Sequence, residues 1–463
     1  MENPKREQWS SKMGFILAAA GSAIGLGNIW KFPYIAGENG GAAFLFIYLI
    51  CILSIGLPVL IAEVLIGRTT QRNPVGAFKK LTNNKFWSYV GKMGIITAFI
   101  ILSFYSVVAG WAIGYIVESA KGAFQSFQEP AQAGEYFNSL LLQPEWNLFY
   151  LLVFILMSMF FVYFGVQKGI EKGSKIMMPL LFILLIILMI RGITLEGANE
   201  GLKFFFHPEW SKITSQTILL ALGHAFFTLS LGMGVIMTYG SYMSNNDSIP
   251  GTSLSIIILD TVISVVAGVM IFTTVFAFGQ DPAQGPGLIF HVIPVVFNQM
   301  PGGIFFAILF FILLALAALT SSISLIEVVV AYFVDEKKWK RQKAVIFTGV
   351  VGTLLAIPCS LSYNLMSEVK LFDSNFFDTL DFLASNILLP LGGFLLAIFV
   401  GYVWGLDKAV ENLKIGSEKF FEKYPVSLFL WKIFIKYLAP LLMFLVLLDT
   451  VGILKVVKNL FVE

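Results

Sequence analysis

GSAIGLGN at residues 21–28 and TLSLGMG at residues 228–234 are glycine-rich interruptions inside stretches otherwise apolar enough to cross a membrane. Glycine in mid-helix weakens the helix, yet inside a bilayer each freed backbone N–H and C=O still needs a partner. Two such breaks, five apolar segments apart, predict a pair of discontinuous helices related by an inverted repeat. Half-helices of this kind turn N–H groups toward an anion and freed carbonyls toward a cation near the membrane midplane. Either cluster alone is explained equally well by close helix packing, which small residues permit. Their pairing favours a site.

The surrounding composition agrees. Of 463 residues 57% are hydrophobic and 13% charged, and the mean hydropathy is +0.82, whereas roughly a quarter of a soluble domain is charged. The expected class is an all-α polytopic membrane protein with lipid as its solvent. A net charge of +3, with basic residues in short loops, excludes a nucleic-acid partner. Cys51 and Cys359 lie far apart without CxxC or a histidine spacing suited to a metal, and read as packing residues. MENPKREQWSSK shows no cleavage pattern, so the first helix is expected to be retained.

Spans of roughly 20 apolar residues number about eleven. They fall at 12–36, 41–66, 88–120, 147–164, 170–191, 214–241, 251–278, 302–334, 343–357, 376–404 and 429–456. Helices 1–5 (12–191) and 6–10 (214–404) would form the two halves of a single 1–463 transporter domain, with 429–456 as an extra helix. Arg68, Arg72, Lys79, Lys80 and Lys85 follow the second span, and Lys337, Lys338, Lys340, Arg341 and Lys343 follow the eighth. By the positive-inside rule both loops are cytoplasmic, as is the N-terminus. The loop 121–146, with Glu129, Glu135 and Glu145, falls outside. An odd count leaves the C-terminus outside, where Lys455 and Lys458 go against the rule.

GSAIGLGNIWKFPYIAGENGGAAFLFIY (21–48), Glu63, Gly67–Arg68, FFTLSLGMG (226–234), TYGSY (238–242), LTSSIS (319–324) and DTLDF (378–382) occur in this order along nearly the whole chain. Together they resemble the neurotransmitter:sodium symporter family, in its bacterial form with eleven helices and the leucine-transporter 5+5 inverted repeat. The resemblance implies a Na⁺-coupled symporter of a hydrophobic or aromatic L-amino acid, working by alternating access in the bacterial inner membrane. Its partners would be a small-molecule substrate, two Na⁺ and membrane lipid, with no organic cofactor; a homodimer stays open.

Residue roles follow from the same likeness. One Na⁺ would be held by the Ala23 carbonyl, Asn28, Thr228, Asp260 and the substrate carboxylate, and a second by carbonyls of Gly21, Ile24 and Ala317 with Thr320 and Ser321. Without the likeness, Thr320 and Ser321 read as hydroxyls bonded back to the preceding turn. The N–H groups of Leu26 and Gly27 and the Tyr105 hydroxyl would meet the carboxylate; carbonyls of Ala23, Phe227 and Thr228, with Ser230, would meet the ammonium. Ile101, Phe227, Met233, Ser321 and Leu325 would surround the side chain, with Met233 as an adaptable wall. Gly25 stands where amine-carrying relatives have aspartate, which favours an amino acid. Lys31 and Asp381 would form the outer gate, lysine lacking the planar fork of the usual arginine. Arg6 and Asp335 would form the inner gate beside Trp9 and Tyr242, and the GIEKGSKIMMP stretch from Gly169 to Pro179 is where helix five would unwind.

Charged groups within apolar spans default to function. Glu63 is expected to cap amides exposed by a break; Glu327 is expected to be buried with a hydrogen-bond partner. Tyr48, Thr228 and Ser264 match a chloride cage of animal relatives, but His224 replaces the usual glutamine, and Asp260 the usual asparagine at the first Na⁺ site. An ionised Asp260 would supply the charge that chloride otherwise brings, so transport is expected to be chloride-independent, with proton uptake by Asp260 or His224 as a further hypothesis. HExxH, GxSxG and a P-loop are absent, which argues against an enzyme. The polar groups converge at two breaks instead of lining a pore, which argues against a channel. The competing readings are a same-fold carrier of another small amino acid or amine-like solute, and a non-transporting substrate sensor.

Overall fold

Ser11 opens the first transmembrane helix: its backbone is extended and its Oγ accepts the Gly14 N–H, satisfying an orphan donor of the first turn. The helix runs over Lys12–Ala23, stops where Ile24 turns extended (ψ 102°), and resumes as Gly27–Glu38 with a bend of 50°. This computed structural model describes residues 6–280 and 288–453. Counting each interrupted pair as one segment, segment 1 is followed by segments 2 (Ala42–Thr70), 3 (Phe86–Ala120), 4 (Pro144–Tyr163) and 5 (Val166–Ile193). Segment 6 comprises Ser215–Thr228 and Val235–Gly240. Segments 7 (Ile249–Ala277), 8 (Gly303–Lys337), 9 (Arg341–Leu361), 10 (Phe376–Lys414) and 11 (Pro425–Thr450) complete the bundle.

Among the described residues, nine helices are long and apolar enough to cross a membrane unbroken, and the bent first pair makes ten. The sixth segment, expected as one span over 214–241, is two helices of 14 and 6 residues joined through Leu229–Gly234. A total of eleven depends on counting that pair as one span. In segment 10 the backbone leaves the helical region at Gly405 (φ 93°), one residue past the expected end at 404, and a polar helix, Leu406–Lys414, continues from it. The end of the expected last span, 454–456, and Lys455 and Lys458 lie outside the described residues.

Segments 3 and 8, each an α-helix of 35 residues, pack along each other through the centre. Segments 4 and 5 sit at the periphery. Their exposed Phe149, Leu152, Leu156 and Phe160, and Ile176, Leu180, Ile183, Ile187 and Ile190, recur every three or four residues as stripes facing lipid. Short helices Pro130–Leu141 and Leu288–Gln299 and the two-residue strands Lys370–Leu371 and Ser374–Asn375 gather at the end of the bundle carrying the acidic 121–146 loop.

Candidate functional site: the facing helix breaks

The break in segment 6 is built by left-handed backbone at Ser230 (φ 55°), Gly232 (φ 83°) and Gly234 (φ 76°). Gly232 is required twice over, since a Cβ there would lie 2.3 Å from the Leu389 carbonyl oxygen of segment 10. Glu63 of segment 2, fully buried, accepts the Gly232 N–H (2.7 Å) and the Met237 N–H (3.3 Å). This is the capping expected of it. In segment 1 the side chain of Asn28 performs the equivalent service, its Oδ1 accepting the Gly25 N–H at 3.0 Å.

The two breaks face each other across a narrow cavity of about 30 Å³ lined by Ser22, Ala23, Gly25, Gly27, Ile101, Tyr105, Phe227, Thr228, Ser230, Met233, Ser321 and Leu325. Of the residues expected around a substrate, Leu26 alone is outside this lining, and its N–H donates to the Tyr105 hydroxyl at 3.2 Å. Gly25 has no room for a side chain: a Cβ would meet Ser321 Oγ at 2.6 Å and Tyr105 Oη at 2.7 Å. Ser22 was not anticipated. Its hydroxyl pairs with that of Ser324 (2.7 Å), and its carbonyl accepts the hydroxyls of Ser230 (2.9 Å) and Ser321 (3.1 Å), stitching segments 1, 6 and 8 together.

Beside the cavity, Asp260 is fully buried and its carboxylate accepts from Asn28 Nδ2 (2.7 Å), Thr228 Oγ1 (2.9 Å) and Tyr48 Oη (3.2 Å). Asn28 Nδ2 also reaches Ser264 Oγ at 2.8 Å. The set Ala23, Asn28, Thr228 and Asp260 is thus brought together. The second expected set also converges: Ser321 Oγ lies 3.4 Å from the carbonyls of both Gly21 and Ala317, and Thr320 Oγ1 donates to the Ala317 carbonyl at 3.0 Å. Ile24 supplies the extended residue where the first half-helix ends. Among the described residues no three His, Cys, Asp or Glu side chains form a metal cluster. Carbonyl, hydroxyl, carboxamide and single-carboxylate oxygens suit a hard cation, not a soft metal that takes thiolate or imidazole. His224 is buried, stacked on Phe32 and tilted against Tyr48 at ring distances of 6.0 and 5.4 Å, and neither nitrogen has a hydrogen-bond partner among the described residues.

Gly27, Tyr105 and Phe227 also line a larger vestibule of about 380 Å³, where Lys31, Tyr363 and Asp381 are among the other lining residues. Lys31 and Asp381 share this space but form no ion pair. The Lys31 ammonium sits over the Phe227 ring at 4.9 Å, and Asp381 accepts the Ser385 hydroxyl at 2.7 Å. The expected gate pair is therefore apart, each member held by a nearer neighbour. The opposite end is sealed. Arg6 pairs with Asp335, donates to Ser241 Oγ at 2.7 Å and lies over the Tyr242 ring at 4.7 Å; Trp9 packs edge-on against Tyr242 at 6.0 Å. Burial works against the Arg6 charge, but Tyr242 and Asp335 outweigh it, and its pKa lies above the ordinary value.

Behind this seal, Glu327 is fully buried, pairs with Arg341 and accepts the Tyr242 hydroxyl at 2.5 Å. Arg341 reads in the sequence only as one more loop charge. Segment 5 is continuous from Val166 through Pro179 to Ile193, so the expected unwinding between Gly169 and Pro179 is not present. Glu171 explains the order there: it accepts the Ser10 N–H at 2.7 Å and the Lys175 ammonium at 2.7 Å, tying segment 5 to the N-terminal strand of chain.

Paired helix breaks that face each other within a bundle of apolar helices are the architecture of a solute carrier. The family profile for the Sodium:neurotransmitter symporter family matches residues 6–132 and 140–460, and the chain belongs to that family. It is similar to an uncharacterized sodium-dependent transporter, YhdH, of Bacillus subtilis, with 42% identity over 98% of this chain and all of the relative. An uncharacterized sodium-dependent transporter of Haemophilus influenzae is 36% identical over 96% of this chain and 98% of its own. Among solved structures, the crystal structure of MhsT in complex with L-phenylalanine superposes with a TM-score of 0.87 at 46% identity, covering 96% of this chain and all of that one. The fold is of the leucine-transporter type, and the protein is an integral membrane, sodium-dependent symporter of its family.

Proposed function

We propose that this carrier imports a hydrophobic or aromatic L-amino acid together with two Na⁺. The carrying observation is the cavity at the two breaks, whose polar groups suit a zwitterion and whose other walls are apolar. In this reading the carboxylate sits on the N–H groups of Leu26 and Gly27 and on Tyr105, and the ammonium near Ser230 and the carbonyls of Ala23, Phe227 and Thr228. Ile101, Phe227, Met233, Ser321 and Leu325 enclose the side chain. The phenylalanine bound by the similar MhsT supports this substrate class.

One Na⁺ takes Ala23, Asn28, Thr228 and Asp260, the Asn28 carboxamide turning its oxygen to the ion. It shares the substrate carboxylate as a ligand. Each then raises the other's affinity by the same factor, a coupling of typically about 1–3 kcal/mol. The second Na⁺ takes Gly21, Ile24, Ala317, Thr320 and Ser321, and its binding favours the arrangement in which segments 1 and 8 are joined. Lys31 and Asp381 close the vestibule over the bound substrate; Arg6, Trp9, Tyr242 and Asp335 open the other end afterwards, with segment 5 loosening between Gly169 and Pro179. The N-terminus is cytoplasmic and the C-terminus external, and 12–191 and 214–404 are the two repeat halves. Asp260 makes chloride unnecessary, since its carboxylate already meets Tyr48 and Thr228.

The test is uptake of a panel of radiolabelled amino acids into proteoliposomes. Saturable, concentrative uptake of phenylalanine, tryptophan or leucine on an inward Na⁺ gradient, absent with K⁺, is expected. Transport of only β-amino acids or amines would replace the substrate assignment, and Na⁺-dependent binding without uptake would favour a sensor.

A further inference from the structure

Lysine is costly on the lipid-facing side of a membrane helix unless its charge finds a partner. Segment 11 carries two, Lys432 and Lys436, one turn apart, and neither forms an ion pair among the described residues. They do not simply hang in water at the helix start. Val426, Phe429 and Leu430 precede them and are 63%, 62% and 42% exposed, so the helix meets the membrane surface with an apolar side.

The surroundings of Lys436 are built. Its ammonium lies between two aromatic faces, 5.5 Å from the Tyr402 ring of segment 10 and 5.4 Å from the Tyr437 ring. Both rings are more than half exposed. The Tyr402 hydroxyl donates to the Lys436 carbonyl at 2.9 Å. Both helices carry a wide turn at this level, Phe399–Gly405 in segment 10 and Phe434–Leu438 in segment 11. Such turns are frequent at functional sites because they re-aim side chains. The backbones meet at Gly401, where a Cβ would lie in ordinary contact with the Lys436 backbone, at 3.4 Å. Above the lysines, Tyr437, Leu441 and Phe444 are 58%, 56% and 46% exposed at spacings of four and three, one apolar stripe leading into the bilayer.

We propose that Lys432 and Lys436, framed by Tyr402 and Tyr437 at the junction of segments 10 and 11, form a binding site for the phosphate headgroup of an anionic phospholipid. The cations supply charge complementarity, the tyrosines place the site at headgroup depth where such rings concentrate, and the Tyr437–Leu441–Phe444 stripe takes an acyl chain. The stripe commits the site to a lipid and not to free phosphate.

The test is native mass spectrometry of the delipidated full chain, titrated with phosphatidylglycerol or phosphatidylcholine. The wild-type protein is expected to retain a saturable phosphatidylglycerol with a preference of about tenfold or more over phosphatidylcholine, as two lysines at a lipid surface imply. Lys432→Gln/Lys436→Gln should lose that preference, Lys432→Arg/Lys436→Arg should keep it, and excess glycerol phosphate should not displace the lipid. Equal binding of the two lipids by the wild type would overturn the proposal without recourse to any variant. Unchanged preference in the glutamine variant would overturn it too, and displacement by glycerol phosphate would reassign the site to a soluble phosphate.

Discussion

Gly25→Ala isolates the geometry of the central cavity. The added Cβ would stand 2.6 Å from Ser321 Oγ and 2.7 Å from Tyr105 Oη, distances that real contacts essentially never show. Neither neighbour yields freely. Tyr105 Oη accepts the Leu26 N–H, and Ser321 Oγ donates to the Ser22 carbonyl. Overpacking of this kind costs about 1–3 kcal/mol. If that cost falls on the substrate-bound state, where Tyr105 is proposed to hold the carboxylate, binding weakens by about 5- to 150-fold. The assay is Na⁺-dependent scintillation proximity binding of tritiated L-phenylalanine to purified protein, with size-exclusion profiles as the folding check. Gly223→Ala is the control: its Cβ would have nothing within 4 Å, and its affinity should stay within about twofold of wild type, the ordinary scatter of a harmless substitution. A well-folded Gly25→Ala that binds as tightly as Gly223→Ala would refute the placement of the carboxylate.

Glu63→Ala leaves the N–H groups of Gly232 and Met237 buried without acceptors, at about 1–3 kcal/mol each; the thermal midpoint should fall, and an unchanged midpoint would dismiss the capping role. Glu327→Gln strands Arg341, a loss of about 3–5 kcal/mol when one member of a buried pair is removed. Replacing both with glutamine should recover part of that, whereas a double variant as unstable as the single would mean that the pair is not what matters. Arg6→Ala removes the cation that ties Asp335 to Ser241 and Tyr242, so a cysteine introduced at Ser241 should react several-fold faster with a maleimide; an unchanged rate would show that the seal does not depend on Arg6. Replacing chloride by gluconate should leave uptake unchanged, and arrest of uptake would contradict the charge argument made for Asp260.

What was legible in the sequence was set by backbone chemistry. Glycines at 21–27 and 232–234 mark the two breaks, and Glu63 inside an apolar span beside them reads as an acceptor for donors that a break exposes. Asp260 could be associated with Asn28 and Thr228 through the family resemblance, since they lie on three different segments. Pairings across segments without a motif were not legible. Arg341 looks like one of five cations after segment 8 until the turn of the chain folds it back onto Glu327. Ser22 gives no sign of its contacts with Ser230, Ser321 and Ser324. The separate partners of Lys31 and Asp381, the Phe227 ring and the Ser385 hydroxyl, have no motif either, and nor does the continuous helix at Gly169–Pro179. One sequence must encode every state of a carrier, and the structure displays one arrangement.

The most direct measurement for the account is equilibrium binding of L-phenylalanine, L-tryptophan and L-leucine to the purified wild-type protein and to Asp260→Ala, in Na⁺ and in K⁺. The account predicts saturable binding of at least one of them by the wild type in Na⁺ alone, and its loss in Asp260→Ala while the variant remains folded. Equal binding in the two salts, or full Na⁺-dependent binding without the Asp260 carboxylate, would contradict it.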